Sequence, residues 1–199
     1  MGYLIRILEV DFKEILRVPG SKDQQLLELV MPHVIGFGEA EEPWNTELYG
    51  DAPLATPSEA LRQIINGDVA QAESGGGPYY EAVAALYMHF ATSGDEIGLS
   101  SHETDHIDEV EEALLAAGAK PPLSLVDLLS RGVPFRLPQY DEGYRLGYLT
   151  PDEVVAASRQ FEALSFDAVP EGPRETIEML GLLLKDAASR NHALVGEYA

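Results

Sequence analysis

Cysteine is absent from the 199 residues, which excludes a disulfide scaffold, thiol catalysis and cysteine-ligated zinc. Long apolar runs are missing as well. No stretch approaches the roughly 20 residues that a membrane span requires. The opening MGYLIRILEVDFKEIL places acids where a signal peptide has its apolar region. These absences predict a cytoplasmic protein without a membrane partner. Basic residues are scarce: 13 Lys and Arg stand against 34 Asp and Glu, for a formal charge of −21. The scarcity is local, because between residues 23 and 119 Arg62 is the only base against 19 acids. Such a field repels the phosphates of nucleic acid and an anionic membrane surface. It attracts cations or a basic protein and speeds that partner's arrival. What remains is ordinary for a globular chain, with 45% hydrophobic and 24% charged residues.

The pattern along the chain predicts a helix-rich α+β domain over residues 1–199, with a looser subdivision near 71–78. Residues 3–10, YLIRILEV, are apolar on both alternating faces, as in an internal strand of a small mixed sheet. Asp11 with Glu14, and Ser21 with Gln24, have the spacing of capping boxes that open two helices. Residues 36–56, with the single Trp44, read as a long loop. Thr56-Pro57-Ser58-Glu59 opens a helix that Gly67 ends, and Thr150-Pro151-Asp152-Glu153 repeats that start. Apolar spacing predicts further helices at 78–92, 102–117, 123–130 and 174–188. Residues 133–138 and 144–149 read as extended segments around a turn at 141–143, Pro134 and Pro138 holding the first to a sheet edge.

Two groups of residues carry candidate chemistry. The run His102-Glu103-Thr104-Asp105-His106 matches H-E-x-x-H, in which two imidazoles one helical turn apart hold Zn²⁺ and the glutamate activates its water. Here, however, polar Thr104 and Asp105 fill its interior, and Ser100 three residues before Glu103 already accounts for that glutamate as a cap. No metal or other cofactor is therefore expected, and no catalytic residue is assigned. The second group is the acidic stretch itself. Asp95, Glu96, Asp105, Asp108, Glu109 and Glu112 are the expected contacts for a basic partner. Tyr140, Tyr144 and Tyr148 lie four apart near Arg136 and Arg145, a composition suited either to recognition or to covering a sheet edge. Gly75-Gly76-Gly77 lacks the Lys-Ser/Thr of a phosphate loop, and a lone His89 on an apolar helix reads as structural.

Four features carry a resemblance: Val10-Asp11 ending the first strand; Ala60-Leu61-Arg62 followed by Asn66-Gly67; the aromatic helix at 79–90; and Gly147-Tyr148-Leu149-Thr150-Pro151-Asp152-Glu153. Across most of its length the chain resembles a group of bacterial proteins of unknown function, of actinobacterial type and distantly YfbM-like. That resemblance implies an α+β fold. It implies no activity, and its pattern lacks the pair His102 and His106. The leading expectation is thus a non-catalytic acidic protein that engages a basic partner, as immunity proteins and antitoxins engage toxins. A zinc-dependent hydrolase using residues 102–106 is the alternative, and a small-molecule-binding housekeeping domain is a third.

Overall fold

A computed structural model of the chain describes residues 3–36, 55–70, 75–99, 105–138, 145–166 and 169–198. In chain order its first half holds β1 (Tyr3–Val10), α1 (Phe12–Arg17), α2 (Gln24–Gly36), α3 (Pro57–Asn66), α4 (Gly77–Phe90) and β2 (Ala91–Leu99). Then come α5 (His106–Ala116), α6 (Leu125–Ser130), β3 (Arg145–Leu149), α7 (Pro151–Glu162), α8 (Glu171–Arg190) and β4 (Ala193–Tyr198). The fold is α+β and rich in helix. Its residues gather into two compact units, Met1–Phe12 with Ala91–Gly132 and Arg145–Ala199, and Lys13–Phe90 with Val133–Tyr144.

The first unit is built on one sheet of order β2-β1-β4-β3. β1 is internal, as its two apolar faces require. Every pairing is antiparallel, where a mixed sheet is expected from the sequence. One face of the sheet carries Ile5, Ile7, Leu149 and Leu194. They join the buried side chains of the four helices, among them Val110, Leu114, Leu128, Val154, Ile177 and Leu184. The glycine pair Gly147 and Gly196 lies directly opposite across β3 and β4. A Cβ on either would collide with the Leu128 carbonyl, so these glycines let the end of α6 lie on the sheet.

α7 begins with the predicted box: Thr150 Oγ1 accepts from the Glu153 N–H, and the Thr150 N–H donates to Glu153 Oε2. α8 runs from Glu171 to Arg190, longer than predicted. It is enclosed on one side only, because Glu178, Leu182 and Lys185 are exposed. The segment 133–138 forms no strand, in contrast to the expected edge. Its two prolines each lack the N–H that a ladder needs.

In the second unit the box at residues 56–59 caps α3, and Gly67 ends it in the left-handed conformation at φ 81°. Gly20 and Lys22 donate to the carbonyls of Ile64 and Ile65, and a Cβ on Gly67 would come within 3.0 Å of Gly20 Cα. The cap of α2 is Asp23, whose Oδ1 accepts from the Leu26 N–H at 3.0 Å. Ser21 instead accepts from the Asp23 N–H, which corrects the expected box. α4 is broadly buried through Tyr79, Val83 and Leu86. The loop expected at 36–56 falls almost wholly outside the described residues.

Candidate functional site

α5 carries the acids expected to bind. Asp108, Glu109 and Glu112, with Asp105 at the N-cap, stand at i, i+3, i+4 and i+7 and so share one face of the helix. All four are exposed. The opposite side buries Val110 and Leu114 in the core. Glu111 lies between these faces. Its Oε2 accepts from the N–H groups of Leu125 and Val126, so it caps α6 and takes no part in the exposed stripe. The stripe contains the like-charge i,i+4 pairs Asp105–Glu109 and Asp108–Glu112, each unfavourable by about 0.2–0.5 kcal/mol. Their place near the helix N-terminus offsets part of that repulsion.

Asp95 and Glu96 belong to a different element, the edge strand β2. Their backbones pair in register with Ile7 and Arg6. Asp95 is exposed, and the Glu96 side chain lies outside what is described.

Of the H-E-x-x-H run, Asp105 and His106 are among the described residues. α5 starts at His106, four residues later than predicted, and Asp105 makes no side-chain cap bond. His102, Glu103 and the Ser100 cap lie outside the described residues. His106 Nε2 is 2.8 Å from Thr176 Oγ1 on α8, so one ring nitrogen already ties two helices together. Among the described residues no group of three or more His, Asp or Glu side chains could hold a metal ion. Tyr140 and Tyr144 likewise lie outside them. Tyr148 stacks on Phe12 at 5.6 Å between centroids, with the Arg131 guanidinium 5.4 Å from its ring, so it covers the edge strand β3. His89, read as structural, has His33 6.4 Å away between ring centroids. Burial, then repulsion from His33, lowers its pKa.

A second polar centre has no counterpart in the sequence reading. Glu9 is completely buried on β1, on the same strand face as Ile5 and Ile7. Its carboxylate receives Ser93 Oγ at 2.7 Å, Arg190 Nη1 at 2.8 and 3.0 Å, and His192 Nδ1 at 2.6 Å. Burial would raise its pKa. The bonds from Ser93 and His192, with the charges of Arg190 and His192, outweigh burial and hold it below 4.5. Facing an ionised Glu9, the His192 Nδ1 carries the proton of that bond. The Ser93 hydroxyl is given to Glu9 and not to His192. The cluster is a clamp joining β1, β2 and the end of α8. Across β1 and β4, Arg6 Nη1 donates to Glu197 Oε2 at 2.6 Å, a second buried ion pair.

Between α7 and α8 lies a groove of about 560 Å³ lined by Phe161, Leu164, Phe166, Ile177 and Leu182, with Glu178 and Lys185 along α8. Phe161 and Phe166 are 4.8 Å apart between centroids. Arg174 also borders it, but its Nη2 donates to the Val169 carbonyl at 2.7 Å.

These elements define a helix-rich α+β protein whose first unit carries an acidic helix face and a groove. The chain belongs to the family described as "Domain of unknown function (DUF7691)", which it matches over residues 1–196. Comparisons with curated proteins and with solved structures each return no match. No helix of the described residues is long and apolar enough to cross a membrane.

Proposed function

We propose that this protein is a non-catalytic binding protein whose acidic α5 face engages a basic protein partner. The observation that carries the proposal is the single exposed stripe of Asp105, Asp108, Glu109 and Glu112. Four carboxylates over about 10 Å of helix form a site whose internal repulsion a cationic partner relieves. The surrounding excess of acid steers such a partner towards it. Immunity proteins and antitoxins share this combination of size and acidity. We read the protein as acting in the cytoplasm in that manner, and as distantly YfbM-like through the residues around Val10-Asp11 and Gly147-Tyr148.

The test compares the wild type with a variant carrying Asp105→Asn, Asp108→Asn, Glu109→Gln and Glu112→Gln. Each is immobilised, exposed to lysate and eluted with salt. The expected result is a basic protein released from the wild type between roughly 0.1 and 0.5 M salt, where screening shortens towards a few Å, and absent from the variant. Equal retention by both proteins refutes the role of this face.

A further inference from the structure

The acidic face of α5 continues onto α8. Glu171, Glu175 and Glu178 are exposed there and stand at i, i+4 and i+7, on one side of the helix. The two helices meet at that end. His106 bonds Thr176, and a Cβ on Gly172 would stand 3.9 Å from Glu109 Oε2. Glu178 is also part of the groove rim. Four residues further along is Leu182, 68% exposed and the most exposed large apolar side chain among the described residues. A Cβ on Gly181 would collide with the Phe161 ring, so the glycine lets that ring settle against α8 as the groove's floor. Along α8 the lining runs from Arg174 to Lys185, about 16 Å or three helical turns.

We infer that the groove and the acids beside it form one docking surface for a basic amphipathic α-helix. The apolar stripe of that helix lies against Leu182, Phe161 and Phe166, and its Lys and Arg side chains lie over Glu171, Glu175, Glu178 and the α5 face. This extends the acidic-face reading and rests on it. Charge complementarity selects the occupant: an apolar strip with exposed Glu162 and Glu178 in its lining, and Glu171 and Glu175 on the same side of α8, suits a helix that is apolar on one side and cationic beside it. Arg174 does not oppose this, because it is engaged with the Val169 carbonyl. Lys185 sits at the opposite end of the lining from the acids that α8 shares with α5.

The experiment uses two synthetic 18-residue peptides against the full chain. One is a Leu/Lys helix with Leu at i, i+3, i+4 and i+7. The other keeps every Lys and replaces Leu with Ser. Affinity is read by fluorescence anisotropy at several salt concentrations, and side-chain NMR shifts at Leu182 and Phe161 locate the contact. The Leu/Lys peptide is expected to bind at least about tenfold more tightly, which corresponds to about 1.4 kcal/mol. Leu182→Ser, at an exposed position, should remove about five- to tenfold of that affinity. Glu171→Gln, Glu175→Gln and Glu178→Gln together should weaken binding and flatten its salt dependence.

Equal binding of both peptides, with Leu182→Ser silent, overturns the groove and leaves the acidic-face reading standing. Tight Leu/Lys binding that ignores both the glutamine triple variant and the α5 variant overturns the charge complementarity, and the acidic-face reading with it. Binding of neither peptide overturns both.

Discussion

Replacing Glu9 with glutamine keeps the size of the side chain and removes the charge on which three donors converge. Ser93, Arg190 and His192 all give hydrogen bonds to this carboxylate, which is itself inaccessible to water. Glutamine offers one acceptor oxygen and turns an amide N–H₂ towards groups that also donate. Removing one member of a buried ion pair costs about 3–5 kcal/mol when the partner stays buried. Here the Arg190 side chain is 44% exposed and His192 22%, so both can turn to water, and the expected loss falls to about 2–3 kcal/mol. For a chain of this size that is roughly 5–10 °C in Tm. The pH dependence follows from the lowered pKa of Glu9. The folded state holds the ionised form more tightly than the unfolded state does. The stabilisation is therefore complete above the unfolded carboxyl pKa, near 4.5, and is lost as pH falls through the lower folded value. Urea titrations of wild type and Glu9→Gln should show the full gap at pH 7 and a narrowing one below about 4.5. A gap under about 0.5 kcal/mol at pH 7, or one that stays constant into acid, refutes the assignment of Glu9 as an ionised clamp.

The two capping boxes permit an internal comparison. Glu153 is bonded by Arg131 as well as by Thr150, and its pKa falls to about 2. Glu153→Ala should therefore cost about 1–2 kcal/mol, and Glu59→Ala, whose cap has no such arginine, about 0.5–1 kcal/mol; denaturant midpoints giving the reverse order would contradict this. Gly147→Ala should destabilise by at least about 1–3 kcal/mol, because the new methyl group meets the Leu128 carbonyl. Thermal unfolding within 1 °C of wild type would show that α6 gives way freely. Burial raises the Glu81 pKa to about 7, so its charged form opposes folding. Glu81→Gln should stabilise at pH 8 and not at pH 4, the gain appearing as pH rises from about 4.5 to 7; a gain independent of pH refutes the assignment.

Much of the fold was legible in local grammar. Thr56-Pro57-Ser58-Glu59 and Thr150-Pro151-Asp152-Glu153 state their helix starts within four residues, since each cap bonds its own first turn. β1 could be placed inside the sheet because both its faces are apolar. β2 escaped notice for the opposite reason. As an edge strand it pairs among the described residues with β1 alone, Thr92 and Asp95 are exposed, Ser93 is spent on Glu9, and Gly94 lies where a Cβ would press on Leu8. No apolar alternation survives in ATSGDEIGL. β4 was missed because it starts three residues after α8 ends, just beyond the left-handed Asn191. At the candidate site the sequence names Asp105, Asp108, Glu109 and Glu112, but that they share one exposed face depends on where α5 begins and which side it buries. The continuation onto α8 depends on which helices meet, and the Glu9 clamp joins groups about 180 residues apart. No window along the chain contains either.

The sheet's order also sets a timetable. β4 lies between β1 and β3 and, among the described residues, is the only strand paired with β3, yet Val10 meets Ala193 across a gap of about 180 residues. At a synthesis rate of roughly 5–20 residues per second, β1 waits about 9–36 s for that neighbour. Throughout that interval one hydrogen-bonding edge of β1 is open, and Glu9 has neither Arg190 nor His192 to neutralise it. An exposed apolar edge is where chains pair wrongly with one another. The nascent protein is therefore vulnerable until β4 emerges, and chaperones that cover extended apolar segments would act on residues 3–10 first.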